Sequence, residues 1–257
     1  MKVIRLGQTL VNGGAFPPPP PTANALLFLK RNTHMYSGFD SLCATVTPPT
    51  SSDASNIVAD SPLTKWEDYN GSGVYAEQAV CLDCPTYQHG YGYATFDTDR
   101  FFDMNTPVSL TGEFTIYVKA TFSNTNSKAL IGGDTSNFWR ITNNKSFRLR
   151  IDGTPNNDFT EVTDTILTGD EIDQMYICVL SRDASGYLSM FIHGGVKPGY
   201  NDKAWGSTTN QDTDTMTISN VGAKEDDVQN FDGWMSDVLI YDTHHDASDR
   251  AIIYNYL

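Results

Sequence analysis

Two carboxylates one residue apart, Glu171 and Asp173, sit in the stretch Gly169-Asp170-Glu171-Ile172-Asp173-Gln174-Met175-Tyr176. Alternate side chains of a strand share a face, so on a strand both carboxyls would point the same way. Paired carboxyls are the chemistry of glycoside hydrolysis: one protonates the leaving oxygen, and the other attacks or activates water. No serine stands in a Gly-x-Ser-x-Gly elbow, so the sequence offers no nucleophile of that kind.

Other residue types point to binding. Cys81-Leu82-Asp83-Cys84 has the spacing of half a zinc site, with Cys43 or His89 as further ligands. The sequence has no second CxxC and no HxxxH, so the cysteines read as reduced structural thiols, with Cys178 buried in an apolar run. His244 and His245 are adjacent and point apart, and His193 reads as a polar rim residue. Asp134, Asp212 and Asp214 are oxygen donors of the kind calcium accepts, and no other cofactor is expected. In Tyr200-Asn201-Asp202-Lys203-Ala204-Trp205, Trp205 would stack on a pyranose ring beside Tyr200. Asn201 and Asp202 would exchange hydrogen bonds with its hydroxyls. The alternative for Trp205 is packing beneath its own loop.

Such groups need a scaffold, and the rest of the chain describes one. The 257 residues carry 39% hydrophobic and 12% aromatic side chains, enough for a sizeable core. The net charge of −14 argues against contact with nucleic acid or anionic lipid, and apolar runs are too short to cross a membrane. Strict alternation over 112–122 and 146–152, and looser alternation over 186–193, predicts strands. Turn residues follow each run, without intervening helical patterns, so the chain reads as a β-sandwich. The stretch Thr47–Ala54 (TPPTSSDA) reads as a surface loop. Near the C-terminus Asp246 is placed to cap a short helix with Asp249 in its first turn. Ile252, Ile253, Tyr256 and Leu257 would share its buried face.

Residues 1–22 differ in kind. Pro17, Pro18, Pro19, Pro20 and Pro21 impose an extended arm of roughly 15 Å. Ile4, Leu6, Leu10, Val11 and Phe16 make it apolar. The expected division is therefore an anchoring arm, 1–22, and a sandwich, 23–257.

Three stretches resemble the laminin-G-like members of the concanavalin A-like lectin/glucanase superfamily. They are Lys65–Gly73 with Ala76-Glu77-Gln78, Ala94–Phe102, and Phe231–Asp242 with Ala247–Arg250 and Tyr256-Leu257. The turn after Trp66 is rearranged, Thr98 stands at a usual glycine and Asp237 at a usual glutamate. The resemblance implies an antiparallel jelly-roll β-sandwich. Hydrolytic members of the superfamily carry a third carboxylate after a Glu-x-Asp pair; here those positions are Met175 and Tyr176, so no enzyme is expected. Trp234, Val238 and Ile240 would share one strand face.

The combined expectation is a structural and binding protein. The arm would clip it to a larger particle, as decoration or fibre on a phage virion made in the host cytoplasm without Sec export. Partners would be other virion proteins and surface glycans, within an oligomer or larger particle. The alternatives are a free-standing carbohydrate-binding or adhesion module, and a glycoside hydrolase.

Overall fold

The computed structural model describes residues 25–30, 33–39, 45–53, 61–88, 91–97, 99–152, 157–169, 174–209, 211–225 and 229–257. The arm residues Ile4, Leu6, Leu10, Val11, Phe16 and Pro17–Pro21 lie outside them, as do Cys43, His89, Glu171 and Asp173.

In chain order the first strands are β1 (Ala25–Leu29), β2 (Thr33–Phe39), β3 (Thr45–Asp53), β4 (Lys65–Glu67), β5 (Tyr75–Glu77), β6 (Thr86–Gln88), β7 (Tyr93–Phe96), β8 (Phe102–Leu110) and β9 (Phe114–Ala120). Then come β10 (Lys128–Gly132), β11 (Phe138–Asn143), β12 (Ser146–Arg150), β13 (Asn157–Thr160), β14 (Tyr176–Arg182), β15 (Leu188–Gly194), β16 (Lys203–Ser207), β17 (Met216–Val221) and β18 (Gly233–Tyr241). Helix α1 (Ala247–Tyr256) follows.

The strands form two antiparallel sheets packed as a jelly-roll sandwich. One sheet runs β16-β15-β14-β9-β18-β7-β6, with β1 also paired to β18. The other runs β13-β12-β11-β10-β17-β8-β5-β4-β2-β3. The alternating runs become β9, β12 and β15. Phe114, Ile116, Val118 and Ala120 of β9 enter the shared core, with Phe147 and Leu149 of β12 and Leu188, Met190 and Ile192 of β15. Trp66, Trp139 and Trp205 fill its centre, each at most 2% exposed. Truncating an aromatic so placed costs about 3–5 kcal/mol.

The first sheet keeps a second apolar layer on its outer face. Tyr117, Ile177, Val179, Leu239 and Tyr241 point away from the core and are covered by Ile253 and Tyr254 of α1. The helix begins as the sequence predicts. Asp246 accepts from the backbone N–H groups of Ser248 and Asp249, and Asp249 accepts from that of Asp246. Ile253, Tyr256 and Leu257 pack against the sheet as predicted, but Arg250 and Tyr254 are buried with them while Ile252 is exposed, so the face is rotated toward Arg250 and Tyr254. Polar anchoring of Arg250 and Tyr254 to Asp202 sets that rotation.

Two further expectations are corrected. Thr47–Ala54 does not form a loop; most of it belongs to β3, which ends its sheet. An edge strand tolerates Pro48 and Pro49 because one side of its backbone needs no ladder donor. Cys81 is disulfide-bonded, so reduced thiols are confined to Cys84 and Cys178 among the described residues. A thiol held in a disulfide is not the thiolate that a zinc site requires.

Candidate functional site

The sugar-stacking loop predicted at 200–205 is built inward. Trp205 is 2% exposed and its indole N–H donates to the Lys145 carbonyl at 3.1 Å. Tyr200 is 5% exposed and meets the Trp205 ring edge-on. Neither ring offers a face to a ligand, because alternation along β16 turns Trp205 into the core. Asn201 is exposed. Asp202 has a positive φ of 54° and clamps α1. Its carboxylate takes two hydrogen bonds from Arg250, both 2.7 Å, and one from the Tyr254 hydroxyl at 2.6 Å. Burial acts to raise its pKa, but those hydrogen bonds and the Arg250 charge hold it below the usual carboxylate range.

The calcium candidates do not assemble either. Asp134 Oδ1 caps its own turn, accepting from the backbone of Ser136 and Asn137. Arg182 donates to the backbone carbonyls of Asp212 and Asp214, and its guanidinium lies 3.8 Å from the Asp212 carboxylate, so that carboxylate already faces a cationic side chain. No group of three or more His, Cys, Asp or Glu suited to a metal occurs among the described residues.

The hydrolytic reading loses its third position. Met175 is 7% exposed, Tyr176 is fully buried, and β14 starts at Tyr176. Ser181 does meet an imidazole, with its hydroxyl 2.8 Å from His244 Nδ1, but it is 0% exposed and no substrate reaches it.

The surface that does bring chemistry together is the outer face of the first sheet, beside α1. A β-bulge creates part of it. Met235 pairs with Ala120 and Val238 with Val118, so β18 carries one extra residue between two core-facing positions. Trp234 therefore faces outward, with Asp237 and Leu239, and not inward with Val238 and Ile240. There it meets Tyr93, on the neighbouring strand, and Tyr91 just before that strand. The three ring centroids are 5.9, 6.3 and 6.4 Å apart, and the ring planes differ by 13°, 32° and 20°. Tyr91 stacks on both Tyr93 and Trp234, so the three rings form one aromatic cluster that presents Tyr91 and Trp234 outward as a platform. Tyr91 is 46% exposed, Trp234 is half-buried and Tyr93 lies beneath.

A cavity of about 400 Å³ adjoins the platform. Tyr93 and Tyr254 supply its aromatic walls, Met175 and Ile177 its apolar floor, and Lys119 and His193 its polar groups. Lys119 donates to the Leu257 carbonyl. The His193 ring stacks on Tyr254 at 4.0 Å and 8°. His193 Nδ1 accepts the Asp202 backbone N–H at 3.3 Å, so the neutral ring carries its proton on Nε2. The volume falls within the range of small-ligand sites, which combine apolar walls with a few placed polar groups.

Burial depresses two imidazoles below their ordinary value of 6.5. For His193 the Asp202 charge opposes that shift and Lys119 adds to it. His245, with Nδ1 2.8 Å from the Tyr117 hydroxyl, is 6% exposed. The unfolded chain therefore binds protons, below about pH 6.5, that the folded chain refuses. Stability is full above that pH and declines as pH falls, until the imidazoles protonate in the fold. Urea midpoints at about pH 7.5 and about pH 5 should show this loss, and His245→Gln should shrink it. Equal midpoints at the two pH values would contradict the assignment.

The chain matches no protein-family profile and no curated protein. Solved structures do resemble it. A Trypanosoma rangeli sialidase matches with TM-score 0.48 and 15% identity over 91% of this chain and 33% of its own. The receptor-binding domain of botulinum neurotoxin type G matches with TM-score 0.47 and 12% identity over 91% of this chain and 51% of its own. The CBM40 of Ruminococcus gnavus IT-sialidase, bound to α2,3-sialyllactose, matches with TM-score 0.40 and 14% identity over 56% of this chain and 83% of its own. The chain thus spans about a third of the first protein and about half of the second. At these identities and TM-scores the likeness carries no statement about function.

Proposed function

We propose that this protein is a non-enzymatic carbohydrate-binding domain, and that it binds sugar on the outer face of its first sheet. The observation that carries the reading is the Tyr91–Tyr93–Trp234 platform beside a cavity lined by His193 and Lys119. A pyranose has an apolar C–H face and a rim of hydroxyls. The half-exposed rings suit the face, and the Nε2–H of His193 suits the rim. The reading rests on this geometry and not on the ligands of the structural neighbours. It favours the free-standing binding module over the arm-anchored virion component, whose support is the composition of residues 1–22.

Calorimetric titration with a panel of neutral oligosaccharides tests it. At least one should bind, and Trp234→Ala should weaken that binding at least about tenfold, as truncation of a central aromatic anchor does. Tyr187→Ala removes an exposed ring on the β14–β15 turn and should leave affinity unchanged. A panel without a single binder, or a Trp234→Ala variant that binds like the parent, would refute the proposal.

A further inference from the structure

The outer face of the second sheet has an opposite character, unexpected in a chain with 31 acidic and 17 basic residues. Three of its arginines lie on one hairpin, β11–β12. Trp139, Ile141, Phe147 and Leu149 of that hairpin enter the core, so Arg140, Arg148 and Arg150 face outward. Arg140 stands directly across from Arg148, and Arg150 across from Phe138. Like charges directly opposite each other weaken a sheet, so this arrangement has a cost that needs a counterpart.

Neutralisation is incomplete. Asp158 of β13 holds Arg148 with two hydrogen bonds of 2.6 and 2.8 Å. Glu225 lies 3.6 Å from Lys224, whose ammonium sits over Phe138. Among the described residues Arg140 and Arg150 have no ion pair; their partners are the Gln229 side chain and the Thr135 carbonyl. Their Nε–H groups are shielded and lack an acceptor among the described residues, and those two partners occupy only one terminal nitrogen of each guanidinium. Phe138, with the Arg140 guanidinium 5.0 Å from its centroid, forms an aromatic floor between them.

We propose that this face docks an extended acidic segment of a protein partner, with Asp or Glu at alternate positions. Asp158 on Arg148 already displays the contact, a carboxylate across an arginine fork, that the partner would repeat on Arg140 and Arg150. Diagonal neighbours on paired strands are about 7–8 Å apart, and alternate residues of an extended peptide about 6.6 Å, so one strand can serve both arginines. Arginines spread over two paired strands suit a strand-like partner better than a small anion. This surface lies on the sheet opposite the proposed sugar site, and each stands without the other.

The test is fluorescence anisotropy of a labelled peptide of alternating Glu and Thr. The peptide should bind at about 20 mM salt and weaken several-fold at about 200 mM. The double variant Arg140→Gln, Arg150→Gln should weaken binding at least tenfold while its melting temperature stays near that of the parent. An oligothymidylate of equal charge should bind more weakly than the peptide. No peptide binding at low salt, or equal binding by a folded double variant, would overturn the proposal. Tighter binding of the oligothymidylate would overturn it too, in favour of a phosphate-reading surface.

Discussion

Arg182→Ala is expected to lower the unfolding free energy by about 3–5 kcal/mol, the cost of breaking a buried charged network. Arg182 ends β14 and is 1% exposed. Its Nε–H donates to the Gly112 carbonyl at 2.6 Å, and its terminal nitrogens to Leu110 at 3.1 Å and Asp214 at 2.6 Å. The Asp212 carbonyl is 3.5 Å away, its carboxylate 3.8 Å, and the Phe114 ring lies 4.8 Å beneath the guanidinium. One side chain thus ties the turn between β8 and β9 to the segment before β17. Alanine would leave these carbonyls buried without their donor and remove the cationic neighbour of a 5%-exposed carboxylate. Arg182→Met should fare little better, because it restores volume and no donors. Arg182→Lys should fall short as well, since a single ammonium cannot span acceptors on both segments. Urea unfolding measures all three, and a loss below about 1 kcal/mol for Arg182→Ala would contradict this account.

Gly233→Ala is expected to cost at least about 2 kcal/mol and to disturb the sugar site with it. Gly233 has φ +148°, and a Cβ there would lie 2.2 Å from the Thr121 carbonyl oxygen. Both obstacles are backbone, so no side-chain rotation relieves them. The residue that follows is Trp234, and a shift at 233 moves its ring off Tyr91 and Tyr93. Gly112→Ala is the comparison, because a Cβ at that position meets nothing within 4 Å. It should be neutral or slightly stabilising. Denaturation midpoints decide between steric exclusion, which predicts this contrast, and a generic glycine effect, which predicts similar values.

The legible parts of the sequence were those governed by local alternation and local capping. Phe114, Ile116, Val118 and Ala120 announce β9, and Asp246 with Asp249 announces the start of α1, because each signal sits within one element. The platform was not legible. Tyr91, Tyr93 and Trp234 meet through the long-range pairing of β7 with β18, and a single extra residue in β18 reverses the face of Trp234. Alternation counted without that bulge sends Trp234 into the core. At Trp205 the sequence left stacking on a sugar and packing beneath the loop both open, and β16 supplied burial. Asp202 looked like a sugar ligand because its partner Arg250 is 48 residues away. Asp212 and Asp214 looked like calcium ligands because Arg182, some 30 residues earlier, gives no local sign that its guanidinium sits against their backbone carbonyls and the Asp212 carboxylate.

Chemical-shift mapping of a saturating oligosaccharide titration tests the central claim most directly. The account predicts that the largest perturbations fall on Tyr91, Tyr93, Lys119, His193 and Trp234, with Trp205 and the Arg140–Arg150 hairpin unmoved. Perturbations centred on the 200–205 loop tip or on the second sheet, with the platform silent, would contradict it.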